Sequence, residues 1–188
     1  MPVLVPQACV PRGPSRSCRH AWGWRPVAND SQMPQLARGG KYVYTWSLVG
    51  KKGRIRLPSE AIREYGLDDG QRLIVRPGSR TSGGFSIGSP LSLRMSPIGT
   101  LLNRYPHLAR YEVPEGQVVD CGGRPCCWIQ VRHGGIRIPL QSLARYGVSA
   151  GDWLLVVRGS GLALGLIVRG PIVGRARRHR ELTLLEPR

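Results

Sequence analysis

Arginine carries most of the chemistry this chain could do, and part of its placement is patterned. Arg54 and Arg56 flank Ile55 in the string Arg54-Ile-Arg-Leu57, and Arg137 stands between Ile136 and Ile138. Side chains of an extended strand alternate between faces, so Ile55 and Leu57 share one face while Arg54 and Arg56 share the other. Two guanidinium groups projecting side by side suit phosphate neutralisation or a forked contact onto a guanine edge. A solvated strand face would use the same residues. A second basic cluster, Arg175-Ala-Arg-Arg-His-Arg180, either adds phosphate contacts or keeps a terminal helix soluble.

Other reactive side chains do not assemble into a site. The five cysteines are Cys9, Cys18, Cys121, Cys126 and Cys127. An odd number at irregular spacing argues against a disulfide framework and for a reducing cytoplasm. Cys121-Gly-Gly-Arg-Pro-Cys126-Cys127 with His133 has one cluster and no second knuckle, so the expectation is no metal and a tight turn flanked by buried thiols. The four histidines (His20, His107, His133, His179) stand apart with no carboxylate at a telling spacing. No glycine-rich phosphate loop and no nucleophile elbow is present, and Ser59-Glu60 reads as helix-start chemistry. The expectation is a non-enzymatic protein without a cofactor.

These residues need a scaffold, and the composition constrains it. Of 28 basic residues 25 are Arg, against 11 acidic ones, a formal net charge of +17 over 188 residues. Such a surplus draws polyanions, nucleic acid first, although GC-rich coding also inflates arginine. No apolar run approaches the roughly 18 residues of a membrane span, and no basic amphipathic helix is long enough for a membrane surface. The 25 Gly and 16 Pro favour short strands and many turns. Residues 1–40 hold six prolines without periodicity and read as a disordered basic extension, with Met33 a candidate alternative start. Beyond them Tyr42–Val49 reads as a strand, Gly50–Gly53 as a turn and Arg54–Leu57 as a second strand ended by Pro58. Ser59–Tyr65 follows as a short helix closed by Gly66, then a turn, a strand over Gln71–Arg76 and a last strand at Phe85–Ile87.

The arrangement recurs 81 residues later. Residues 53–87 and 134–168 align without gaps at 12 identities in 35 positions, where chance gives roughly three. Gly134-Gly-Ile-Arg-Ile-Pro139 repeats Gly53-Arg-Ile-Arg-Leu-Pro58, and Leu140–Gly147 repeats the helix with its Tyr-Gly end. After each unit a proline, Pro97 or Pro171, stands in the first turn of a helix running toward Leu108 or Leu182. The chain therefore divides into the extension 1–40, a first unit 41–87, a linker with a short helix 88–117, a second unit 118–168 and a basic helix and tail 169–188. A core of about 40 residues is too small to stand alone. The two units must pack on each other or on another chain, which leaves a homo-oligomer open.

Residues 53–73, Gly-Arg-Ile-Arg-Leu-Pro-Ser-Glu-Ala-Ile-Arg-Glu-Tyr-Gly-Leu-Asp-Asp-Gly-Gln-Arg-Leu, resemble the AbrB/SpoVT family. Its pattern is Gly-Arg-hydrophobic-x-hydrophobic-Pro, a short helix ending in Gly, x-x-x-Gly and a strand. The resemblance implies a mainly β fold with short helices, in which two AbrB-like units interleave hairpins into one swapped-hairpin β-barrel. It implies a cytoplasmic DNA-binding transcriptional regulator whose partner is double-stranded DNA. Carried over by position, Arg54 and Arg63 fall on the family's basic positions and Lys51 and Lys52 on the adjoining turn. Arg56 adds to these in the first unit. In the second unit Gly135 replaces Arg54 and Ala144 replaces Arg63, while Arg137 and Arg145 remain. The MraZ family also carries two units, but its Asp-x-x-x-Arg signature fails at Gly50. Two alternatives stay open: a barrel that mediates protein assembly without reading DNA, and an antitoxin-like DNA-binding protein.

Overall fold

The structure is a computed structural model that describes residues 42–94 and 97–187. The expectations for the 1–40 extension, with Cys9, Cys18 and Met33, lie outside the described residues. The chain is mainly β, with one nearly closed, barrel-like sheet and a few short helices.

The aromatic and β-branched run forms β1 (Val43–Leu48), buried at every position. β2 (Arg54–Arg56) alternates as its sequence requires, with Arg54 exposed and Ile55 inside. α1 (Ser59–Tyr65) starts from Pro58, whose ring-limited φ of −69° places it in extended backbone, and no side chain caps the helix. Ser59 therefore does not supply the helix-start hydrogen bond expected of it; Pro58 O accepts from Ile62 N instead. Gly66 closes α1 at φ 57°, and Leu67 N reaches back to Ile62 O, a left-handed stop that only glycine adopts without strain. The unit ends in the hairpin β3 (Arg72–Pro77) and β4 (Phe85–Gly88).

The second repeat builds the same parts. β5 (Val119–Asp120) leads into β6 (Pro125–Arg132), β7 (Gly135–Arg137), a helix over Leu140–Ala144, β8 (Trp153–Ser160) and β9 (Ala163–Ile167). Between the repeats lie α2 (Pro90–Arg94), α3 (Pro97–Arg104) and α4 (Pro106–Ala109), which makes the Leu140–Ala144 helix α5. After β9 come α6 (Pro171–Ala176) and β10 (Leu184–Leu185). Both appended helices are shorter than their sequences suggest. Pro106 lacks the N–H that would continue α3, and Gly174 weakens the interior of α6.

The sheet runs β10-β1-β8-β9-β4-β3-β6-β7-β2. β1 pairs with β8 and β3 with β6, so each repeat's first strand lies against the other's third. The register has a simple arithmetic. Ile55 faces Ile136 and Phe85 faces Leu166, so at both places a residue sits opposite the one 81 positions away. Leu57 N donates to Gly134 O and Ile138 N to Gly53 O, again the same bond twice. Only the β1–β2 side departs. There Ser47 Oγ donates to Arg56 O at 2.6 Å, while β10 lies parallel along β1 in place of a ladder.

Inside the sheet Ile55, Leu57, Leu73, Val75 and Phe85 pack with their counterparts from the other repeat, and Ile129 joins them. Two further clusters cover the outside. α6 and the tail close over Trp46, Trp153 and Leu155, and α2–α4 close over Ile74, Cys121 and Cys126.

Because the β1–β8, β2–β7, β3–β6 and β4–β9 ladders all join the two repeats, a fragment of residues 42–117 alone exposes half of each pair. We expect it to show no cooperative melt, and to regain one when mixed with residues 118–187. A sharper test is local. A Cβ on Gly53 (φ 71°) would stand 1.8 Å from Ile138 O, whereas one on Gly66 (φ 57°) meets nothing within 4 Å. Urea unfolding of Gly66→Ala is expected to show a loss of about 1 kcal/mol from the backbone alone. Gly53→Ala is expected to lose about 3 kcal/mol or more, since the β2–β7 junction must move.

Candidate nucleic-acid interface

β2 and β7 form a two-stranded antiparallel ribbon whose inner face is Ile55 and Ile136 and whose outer face is arginine. Arg54 stands opposite Arg137, and Arg56 stands opposite Gly135. On the far side of β7, Arg132 of β6 faces the same Gly135. Cross-strand partners project to the same side, so Arg54, Arg137, Arg56 and Arg132 share the outer face. Arg54, Arg132 and Arg137 are exposed and Arg56 is half-buried. Like charges placed directly opposite repel. All four arginines line one open groove of about 1120 Å³, together with Glu60 and Glu115.

Gly135, where the repeat pattern calls for arginine, has a packing reason. A Cβ there would come 2.8 Å from the Ile55 carbonyl oxygen, because β2 approaches β7 closely at this point. The missing side chain leaves a gap between Arg56 and Arg132.

Glu115 is the groove's counter-charge. Its Oε1 accepts from Arg132 Nη1 at 2.6 Å and from Gln130 N at 2.9 Å, and its Oε2 accepts from Arg132 Nη2 at 2.7 Å. Arg132 holds the Glu115 carboxyl below the usual carboxylate range against the opposing effect of burial, and the Gln130 N–H and the charge of Arg137 add to it. Arg132 is thus fixed in place, as bidentate pairs fix both partners.

The turns beside the ribbon differ between repeats. The β6–β7 turn is His133-Gly134, at φ 52° and 66°, the two left-handed residues that a tight hairpin needs. Asp69 from the first repeat clamps it, accepting from His133 N at 3.0 Å and Gly134 N at 3.2 Å. These two N–H groups lower the Asp69 carboxyl. The β1–β2 turn is one residue longer and carries Lys51 and Lys52, both exposed.

α1 is tied to the sheet at Glu64. Tyr44 Oη donates to Glu64 Oε2 at 2.6 Å, Arg158 Nη2 donates to the same oxygen at 2.7 Å, and the Arg158 guanidinium lies 4.2 Å from the Tyr42 ring centre. Burial works to raise the Glu64 carboxyl, but the Arg158 and Tyr44 bonds outweigh it and hold it below the ordinary value. Arg63 is exposed in the last turn of α1, beside that anchor. Its neighbour across the repeat, Arg145, is exposed just past the end of α5.

The structure therefore brings Arg54, Arg56 and Arg137 into one groove, while Lys51, Lys52, Arg63 and Arg145 stand outside its lining. Arg132, Glu115 and Asp69 belong to the same neighbourhood and were not anticipated. The alternation Trp128-Ile-Gln-Val-Arg132 marks Arg132 as outward, although Arg132 lies just outside the repeated segments 53–87 and 134–168. Glu115 and Asp69 act from loops, where no periodicity points at them.

The thiols of Cys121, Cys126 and Cys127 are buried beside an exposed turn, as expected. Burial pushes the Cys126 thiol up to about 12 and the Cys127 thiol up to about 11, so both are neutral thiols at pH 7. Among the described residues no group of three or more His, Cys, Asp and Glu could hold a metal ion, and no helix is long and apolar enough to cross a membrane. Compared with protein-family models, curated proteins and solved structures, the chain matches none.

Glu64 supports a pH prediction. A carboxyl held below its ordinary value contributes stability that is complete at neutral pH and disappears as pH falls through its folded value, under 4.5. In urea titrations Glu64→Gln is expected to cost about 0.5–1 kcal/mol at pH 7. The difference from the unaltered chain should close as pH falls below the ordinary carboxylate range.

Proposed function

We propose that this chain is a duplex-DNA-binding transcriptional regulator of the AbrB/SpoVT type, with its two repeats forming one swapped-hairpin barrel. The observation that carries the reading is the register of β2 against β7, which sets Arg54 and Arg137 side by side on an outward face. Interleaved pairing of β1 with β8 and β3 with β6 supports the barrel assignment. The groove over the ribbon is cationic on balance, with four arginines against two carboxylates. In this reading Arg54, Arg56 and Arg137 meet the duplex directly. Arg63, Lys51 and Lys52 add charge on the first repeat's side and Arg145 on the second's.

The test begins with genome-wide recovery of bound duplex, followed by affinity measurements on enriched and scrambled sequences across a salt series. Enriched duplex is expected to bind about 10³-fold or more tightly than scrambled. The double substitution Arg54→Ala with Arg56→Ala should lower the slope of log K against log salt by about 1.8, two phosphate contacts at about 0.9 each. Arg178→Ala with Arg180→Ala, in the exposed basic tail, should change it little. Equal binding to both duplexes would favour a protein-assembly module, and dependence on the tail alone would make the barrel a scaffold.

A further inference from the structure

The repeats share a fold but not an outer surface. At position 72 the first repeat has exposed Arg72, where its counterpart 81 residues on is Trp153, 1% exposed. Allowing for the one-residue difference between hairpin turns, Gln130 and Arg132 correspond to Leu48 and Gly50. Leu48 and Trp153 lie beneath α6 and the tail. On the other side the cover formed by α2–α4 reaches Ile74 and Cys126 and stops. Arg72 and Arg132 stay exposed and Gln130 half-exposed.

These uncovered positions continue the arginine face. Arg72 is the ladder partner of Gln130, and Gln130 lies two residues from Arg132 on the same side of β6. Gln130 Oε1 accepts from Arg132 Nη2 at 2.7 Å, joining the two positions. Arg72 is also braced. Its guanidinium carbon lies 4.7 Å from the Tyr111 ring centre and 5.5 Å from that of Trp128. The two rings meet edge to face at 5.3 Å, and Trp128 Nε1 donates to Val113 O at 2.7 Å. Tyr111 holds φ 63° to do this, a left-handed conformation that costs a side-chain-bearing residue about 1–2 kcal/mol. Arg132 has Glu115 and Arg110 has Glu112 as carboxylate partners, but Arg72 has none among the described residues. An arginine whose planar head rests on aromatic faces keeps its N–H fork pre-organised for an oxyanion.

We infer that Arg72, braced by Tyr111 and Trp128, is a phosphate-backbone contact that extends the duplex-binding face from β2 and β7 across β6 to β3. The inference rests on the DNA-binding reading. It makes the footprint lopsided, because the matching surface of the other side is apolar and covered by α6.

The experiment measures duplex affinity of the full chain against salt for Arg72→Gln, Arg72→Lys, Arg54→Ala with Arg56→Ala, and Arg80→Ala. Arg80 serves as a charge control in the exposed loop at the opposite end of β3. Arg72→Gln is expected to weaken enriched and scrambled duplex by similar factors and to lower the salt slope by about 0.9. Arg72→Lys keeps the charge and should retain the slope, with Arg80→Ala unchanged. A Gln variant with the unaltered slope, or Gln and Lys variants that lose it equally, overturns the inference. If the Arg54/Arg56 loss persists in that case, the DNA-binding reading survives it. Absence of duplex binding by the unaltered chain at every salt concentration overturns both.

Discussion

Ile55 sits opposite Ile136 with both side chains inside the barrel, and each is the other's counterpart in the repeat. Strand side chains alternate with period two, so this one apolar contact decides where Arg54, Arg56 and Arg137 point. A one-residue slip of β2 would drive Arg54 and Arg56 into the core and expose Ile55, which the low-dielectric interior forbids. The neighbouring features follow from the same pairing. Gly53 must be glycine because a Cβ there would meet the Ile138 carbonyl oxygen at 1.8 Å, and Gly134 because its φ of 66° strains any side-chain-bearing residue. The ribbon's arginines are thus fixed by the register of β2 against β7.

The two repeats build the same elements, and the differences between them decide which outer surface is covered and which stays open. Asp69 clamps one hairpin turn, and its counterpart, Ala150, has no carboxylate to clamp the other. Glu64 anchors α1 on Tyr44 and Arg158, while its counterpart is exposed Arg145. Trp153 and Leu48 bury one outer face under α6; Arg72, Gln130 and Arg132 leave the other open to solvent. The balance of charge and burial makes one side of the barrel structural and the other available.

Much of this was legible in the residues because the code for it is local or periodic. The alternation Arg-Ile-Arg-Leu gave the faces of β2, the Tyr-Gly endings gave both helix stops, and the 81-residue repeat announced a pairing between halves. What stayed hidden depends on tertiary approach. Nothing in the string around Gly135 states that the Ile55 carbonyl lies 2.8 Å from where its Cβ would be. The carboxylates reach the ribbon from loops, Glu115 from 15 residues before Gln130 and Asp69 from 64 residues before His133. The segmented helices α2–α4 reflect prolines at 90, 97 and 106, each of which starts a helix. The helix expected from Pro97 toward Leu108 is therefore two, broken at Pro106. The set Lys51, Lys52, Arg63 and Arg145 came from resemblance by position, and these side chains stand around the groove while Arg132 lies within it.

The claim that the β2–β7 ribbon is the duplex-facing surface is most directly tested by amide chemical-shift mapping during titration with enriched duplex DNA. The account predicts that shifts concentrate at residues 54–56 and 132–137 and fade toward α6, with the buried strand β9 unmoved. Shifts confined to residues 175–180, or centred on the α6 side of the barrel with the ribbon silent, would contradict it.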